Sequence, residues 1–156
     1  MFLIKYHAVC FSALVAALLL GATGCAPSDS DSSGLYQASN ATIRTPIPGR
    51  AVTAGYFNFK NNSDESVTIV GVSSDIASRI EMHTIKNIGE QMRMRPLPEA
   101  IVDAGAEVAF ASGGHHLMLF DTQLVGSSSI LNIELANGVT VEAPFQHTQL
   151  IDTDEE

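Results

Sequence analysis

Imidazole and thioether donors gather in three short segments of this chain: Glu81-Met82-His83-Thr84, Gln91-Met92-Arg93-Met94-Arg95-Pro96-Leu97 and Gly113-Gly114-His115-His116-Leu117-Met118-Leu119. Thioether sulfur is soft and imidazole is borderline, a mixture that suits Cu(I) and offers little to Mg²⁺ or Ca²⁺, which take oxygen ligands. Zinc sites are usually completed by Cys, His or carboxylate rather than Met. A blue-copper centre needs a thiolate beside two imidazoles, and the only cysteines are Cys10 and Cys25, both near the N-terminus. Neutral ligands without thiolate hold Cu(I) without strongly coloured redox chemistry. They can also be exchanged one at a time for those of an acceptor, which is what a carrier requires.

Taken singly, a strand histidine is more often a hydrogen-bonded surface residue, and a methionine more often core filler. What decides is the elements that place them. From Leu35 onward apolar residues recur in short alternating runs separated by turn residues, and no stretch keeps a helical period for three turns. The pattern predicts strands over Leu35–Thr42, Val52–Lys60, Ser66–Val72, Arg79–Ile85, Gln91–Arg95, Glu107–Phe110, His116–Phe120, Ile130–Leu135 and Val139–Phe145, with one short helical turn near Ser74–Ser78. Asn137-Gly138 between the last two strands predicts a two-residue type I′ hairpin, which pairs them antiparallel. The fold class is all-β, a Greek-key sandwich or barrel.

Alternate side chains of a strand share a face. His116 and Met118 therefore project together, with Cα atoms about 6.6–7 Å apart, while His115 and Leu117 point the other way. Met82 faces away from His83 and is assigned to the core; Met92 and Met94 share a face. Gly113 and Gly114 give the backbone room to bend before His115.

The spacing of these residues resembles the periplasmic copper A chaperone family (PCuAC), whose signature is histidine, ten residues, methionine, twenty-one residues, histidine, one residue, methionine. His83, Met94, His116 and Met118 match every member at its spacing. With five Met and five His in 156 residues, three prescribed matches after a given His arise by chance about 3 times in 100,000, which makes the likeness specific. The flanking Met94-Arg95-Pro96-Leu97 and Gly113-Gly114-His115-His116-Leu117-Met118 are similar to the family's framework, and the likeness covers most of Leu35 to Phe145. Ile85 stands where many members carry a second histidine, and the acidic C-terminus lacks the His- and Met-rich extension of some members. The resemblance implies a cupredoxin-like β-sandwich that binds one Cu(I) through His83, Met94, His116 and Met118. It also implies delivery toward the copper centres of cytochrome c oxidase, alongside Sco-like proteins.

The N-terminus predicts where this happens. Ala8 to Leu20 form an apolar run short of the roughly 20 residues needed to cross a bilayer; it ends in small residues before Cys25, the pattern of a signal peptide over residues 1–24. Leu20-Gly21-Ala22-Thr23-Gly24-Cys25 resembles a bacterial lipobox, with Ala22 where leucine is usual, so Cys25 is expected to carry lipid. Residues 25–34 then form the lipidated cysteine and a flexible tether, 35–147 the copper-binding domain, and 148–156 an acidic tail. Ala26 rather than Asp after the cysteine favours the outer membrane by resemblance to bacterial sorting rules.

Loss of Lys5 with the leader takes the formal charge from −9 to −10, which argues against nucleic acid or anionic lipid as partners. The sequence carries no Gly-rich nucleotide loop, cysteine nucleophile or supported Ser-His-Asp arrangement, and Asp121 reads as an exposed turn residue, so an enzyme is not expected. Two other readings stand beside the carrier: a lipoprotein that buffers copper without delivering it, and a metal-free sandwich that serves as an interaction module.

Overall fold

The computed structural model describes residues 34–149. The expected signal peptide, Cys25, all but the last residue of the tether, and the acidic tail beyond Gln149 lie outside the described residues. Within them the chain is all-β. Its strands are β1 (Tyr36–Arg44), β2 (Val52–Asn61), β3 (Val67–Ser73), β4 (Arg79–Ile88), β5 (Gln91–Pro96), β6 (Ala100–Val102), β7 (Glu107–Phe110), β8 (His115–Phe120), β9 (Ser128–Leu135) and β10 (Thr140–Thr148).

They form one mixed sheet in the order β5-β4-β8-β7-β2-β1-β10-β9-β3-β6. The sheet curls over so that both halves bury their apolar faces on one core. Ile43, Phe59, Leu117, Leu119, Leu131 and Ile133 are fully buried there, and Phe57 stacks on Phe110 at 4.4 Å while meeting Phe145 from the other half at 5.6 Å. Strands β2 and β10 show the alternation most clearly, burying Phe57, Phe59, Ala143 and Phe145 while Asn58, Lys60, Glu142 and Gln146 face outward, and that alternation fixes their register.

Three local features differ from the sequence expectation. The two-residue type I′ turn is replaced by a three-residue loop, Ala136-Asn137-Gly138. Leu135 N–H donates to Val139 O, and Gly138 N–H donates to Leu135 O, each at 2.9 Å; Gly138 has φ +85° whereas Asn137 has no positive φ. A turn closed by one left-handed glycine matches the strand twist as a type I′ turn would, and β9 and β10 do pair antiparallel. Ser74–Ser78 is a non-helical turn. Finally, β6 is an additional strand: three residues after Pro96-Leu97-Pro98 give too short a pattern to read, yet Ala100 and Val102 are buried and pair with β3.

Strand β2 does the most to place the candidate site, because one edge of it serves two partners. Its Phe57–Lys60 half pairs with β7, and its Val52–Gly55 half with β8. The chain between β7 and β8 leaves the sheet at residues 111–114, with Gly113 at φ +82° and Gly114 N–H donating to Ala111 O at 3.0 Å. It re-enters at His115, so this excursion sets the phase of β8.

Candidate metal centre

Strands β4 and β8 pair antiparallel with His83 directly opposite His116 and Glu81 opposite Met118. On the far side of β4, β5 places Pro96 opposite His83 and Met94 opposite Ile85. By strand alternation His83, Ile85, Met94, His116 and Met118 all lie on the outer face, while Met82, Thr84, Leu117 and Leu119 turn inward and are buried. His115 also turns inward, its ring 5.6 Å from that of Phe110.

The imidazoles of His83 and His116 are 6.1 Å apart between ring centres and tilted by 50°. Both are shielded, with the His83 side chain 14% exposed and His116 6% exposed. Each ring has one nitrogen engaged and the other without a partner. His116 Nδ1 lies 3.0 Å from the Gly114 carbonyl oxygen; a carbonyl only accepts, so Nδ1 carries the proton and Nε2 the lone pair. His83 Nε2 lies 3.0 Å from Glu81 Oε2; with Glu81 ionised, Nε2 donates and the lone pair sits on Nδ1. His116 Nε2 and His83 Nδ1 are buried and have no hydrogen-bond partner.

A buried acceptor left unpaired costs about 1–3 kcal/mol, so two on neighbouring rings of one strand pair call for a ligand. Holding the far ring N–H on a carbonyl or carboxylate is how metal-binding histidines are oriented. A metal about 2.0–2.1 Å from each nitrogen would sit about 3.2 Å from each ring centre. Two ligating rings would then be at most about 6.4 Å apart, which the observed separation satisfies. His115 Nδ1 is also unpartnered, but it lies on the opposite face.

The supports of this pair come from the fold. The Gly114 carbonyl that orients His116 also accepts the Ile85 backbone N–H at 3.2 Å, so the 111–114 excursion ties β8 and β4 together at the imidazoles. Glu81 Oε1 pairs with Arg79 Nε at 3.2 Å, and the Arg79 guanidinium lies 4.2 Å over the Phe120 ring. Arg79, Glu81 and His83 alternate along one face of β4. That spacing was visible in the sequence, but nothing there identified Glu81 or Arg79 as partners of the histidine.

Met94, His116 and Met118 line a cleft of about 450 Å³ on the outer face, bounded on the far side by the loop after β1. His83 opens instead on a neighbouring cleft of about 280 Å³, with Glu81 and Pro96. The structure thus brings three of the four signature residues to one cleft and sets the fourth ring beside it through the His83–His116 pairing. Met94 is half-exposed, and Met92, further along β5, is the more exposed of the two. No three His, Cys, Asp or Glu side chains gather to hold a metal among the described residues. With Glu81 engaged by Arg79 and His83, the soft donors that line the cleft beside His116 are the thioethers of Met94 and Met118. That donor set is soft, as Cu(I) prefers.

A family model described as "Putative lipoprotein LpqE-like" matches residues 37–146. The chain belongs to this LpqE-like lipoprotein family. It is similar to "Putative lipoprotein Lxx21020" of Leifsonia xyli subsp. xyli (strain CTCB07), 32% identical over 113 residues that cover 67% of each chain. Its fold is that of PCuAC domains. The copper-bound PCuAC domain from PmoF2 superposes with a TM-score of 0.56 at 18% identity, over 74% of this chain and 95% of that one. The Cu(I) form of DR1885 from Deinococcus radiodurans superposes with a TM-score of 0.55 at 21% identity, over 73% of this chain and 78% of that one. The β-sandwich expected from the sequence is therefore the fold that this LpqE-like protein shares with PCuAC domains.

Proposed function

We propose that this LpqE-like protein is a Cu(I) carrier of the bacterial cell envelope. It binds one ion through His83, His116, Met118 and Met94, and hands it on toward the copper centres of cytochrome c oxidase. The observation that carries the reading is the facing pair of buried imidazoles, each oriented through one nitrogen and left unpartnered at the other. Two solved structures of the same fold, the PmoF2 domain and DR1885, are copper-bound, and the signature spacing supports the same four residues.

The cargo is held by neutral donors on an outer face rather than inside the core. Met94 is half-exposed on β5, so it is the ligand an acceptor can displace first, while the two oriented imidazoles keep hold of the ion. Cys25 would carry the lipid that keeps the protein at the periplasmic face of a membrane, the outer one by its neighbour Ala26.

Two measurements test this. Cu(I) competition under reducing conditions should give one ion per chain. Mixing the loaded protein with an apo copper A domain should then move the ion to that domain. One tightly held Cu(I) that does not transfer would mean buffering rather than delivery, and no Cu(I) binding would leave an interaction module.

A further inference from the structure

The molecule concentrates positive charge on a part of the sheet that projects past its neighbours. Strand β8 begins at His115, opposite Thr84. Past Ile85, whose N–H still reaches Gly114 O, β4 therefore has only β5 beside it. Lys86 and Arg93 lie directly opposite each other on this two-stranded arm, and Arg95, opposite Thr84, is next on the same face. All three side chains are exposed. Like charges directly opposite each other destabilise a sheet, yet this chain has 17 acidic and only 8 basic residues to place. Among the described residues the ion pairs are Arg79–Glu81 and His83–Glu81, so these three cations meet no carboxylate there. Such a face, in an acidic protein, fits an anionic occupant.

The arm also has a free edge, because β5 is the last strand of the sheet. Leu97 N–H donates to Met82 O at 2.9 Å, which makes Met82 and Leu97 a hydrogen-bonded pair of the β4–β5 ladder. Such pairs alternate along an antiparallel ladder, so Thr84–Arg95 and Lys86–Arg93 are the next two. The β5 residues between them, Met92 and Met94, turn their backbone N–H and C=O away from β4. Unpaired backbone groups on an edge are a template for a further strand, and a two-stranded ribbon is marginal in water without a third. Pro96, which has no N–H, ends the usable edge. The cations decide which strand can join. A second β5 would set like charges against Arg93, whereas a strand with carboxylates at alternate positions would meet Arg93 and Arg95 with opposite charge.

We propose that the free edge of β5 takes an added strand from an acidic partner, bonded through the Met92 and Met94 backbones, with carboxylates at alternate positions against Lys86, Arg93 and Arg95. Backbone bonds supply the attachment and alternate side chains the selectivity, as strand addition does elsewhere. The docking stands on charge and register alone. Its consequence rests on the copper reading: the partner's intervening side chains fall on the outer face beside the half-exposed Met94, where a soft donor of the partner would be placed to receive the ion.

The test uses the copper-free full chain carrying Cys25→Ser, so that neither metal nor lipid enters it, and a blocked peptide alternating aspartate with valine. Hydrogen exchange of single amides is read by NMR. With the peptide at about ten times its Kd, the Met92 and Met94 amides should exchange about 10-fold more slowly. The Arg93 amide, already bonded to β4, should not change. Lys86→Glu/Arg93→Glu should lose this protection and gain it from a peptide alternating lysine with valine, a swap that an unfolded variant could not show. Met92 and Met94 amides that exchange alike with and without the aspartate peptide would overturn the proposal, and so would equal protection of the parent chain and the variant. Protection that rises with protein concentration in the absence of peptide would also overturn it, by placing a second copy on the edge. So would protection by phosphatidylglycerol vesicles but not by the peptide, which would assign the face to an anionic membrane. The same variant should still bind one Cu(I), so a failure of the docking is told apart from a failure of the copper reading.

Discussion

Asn61 and His116 are both buried polar side chains at strand ends of one sandwich, 0% and 6% exposed, and their surroundings treat them in opposite ways. The Asn61 amide donates to the carbonyls of Glu65, Val102 and Asp103 at 2.8–3.1 Å, and its oxygen accepts from Ser63 N–H and Oγ–H at 3.0 and 2.6 Å. Every polar atom of the side chain is engaged, and the result is a knot holding the end of β2 to the turns before β3 and after β6. The His83–His116 pair is oriented just as firmly but leaves two acceptor nitrogens unanswered. Satisfied burial is how a fold holds itself together. Two unpartnered nitrogens on paired, oriented rings of one face, unlike the lone one of His115 on the inner face, mark a place kept for something else.

The contrast predicts that the two regions fail differently. The largest effect is expected at the imidazoles: His116→Ala should weaken Cu(I) binding by about 1,000-fold, equivalent to about 4 kcal/mol, while His115→Ala, on the inner face, should change it little. Competition titration of the two variants measures this, and equal losses would erase the distinction between the faces. Asn61→Ala should do the reverse. It strips a partner from the buried Val102 carbonyl, from the part-buried carbonyls of Glu65 and Asp103, and from Ser63, which costs about 3 kcal/mol and lowers the melting temperature by about 10 °C. One Cu(I) should still bind to the folded fraction.

A smaller effect is expected one step out from the metal. Glu81→Gln keeps the shape but weakens the hold on His83, so Cu(I) affinity should fall by about 10-fold, the lower end for an orienting partner. The melting temperature of the copper-free form should barely move, because the Arg79–Glu81 pair is well exposed. A stability loss without an affinity loss would make Glu81 part of the scaffold instead. Cys25→Ser should leave both regions untouched and act only on membrane association, read by fractionation.

How much of this was legible in the sequence follows from the periods involved. Alternation over Arg79–Ile85 and His116–Phe120 separates His116 from His115 and His83 from Met82, and those assignments carry through because one face of each strand is buried. The partners were not legible: nothing local says that β4 lies against β8, so the facing of His83 and His116 comes only from the assembled sheet. The Gly114 carbonyl behind His116 carries no side-chain signal at all. Asn61 lies one residue past the strand expected over Val52–Lys60, in a run Asn-Asn-Ser-Asp that looks alike whether its first member is solvated or buried. The Asn137-Gly138 turn misled for a related reason. Asn-Gly serves a two-residue loop or the second half of a three-residue one, and the choice depends on the register of β9 and β10.

The central claim is that two oriented imidazoles and two thioethers hold one Cu(I), and X-ray absorption of the copper-loaded protein tests it directly. The account predicts about two nitrogen and two sulfur neighbours around a single copper in the wild type. It predicts one sulfur fewer in Met118→Leu, and none in the Met94→Leu/Met118→Leu double variant. A copper shell without sulfur in the wild type, or a sulfur count that survives loss of both methionines, would contradict it.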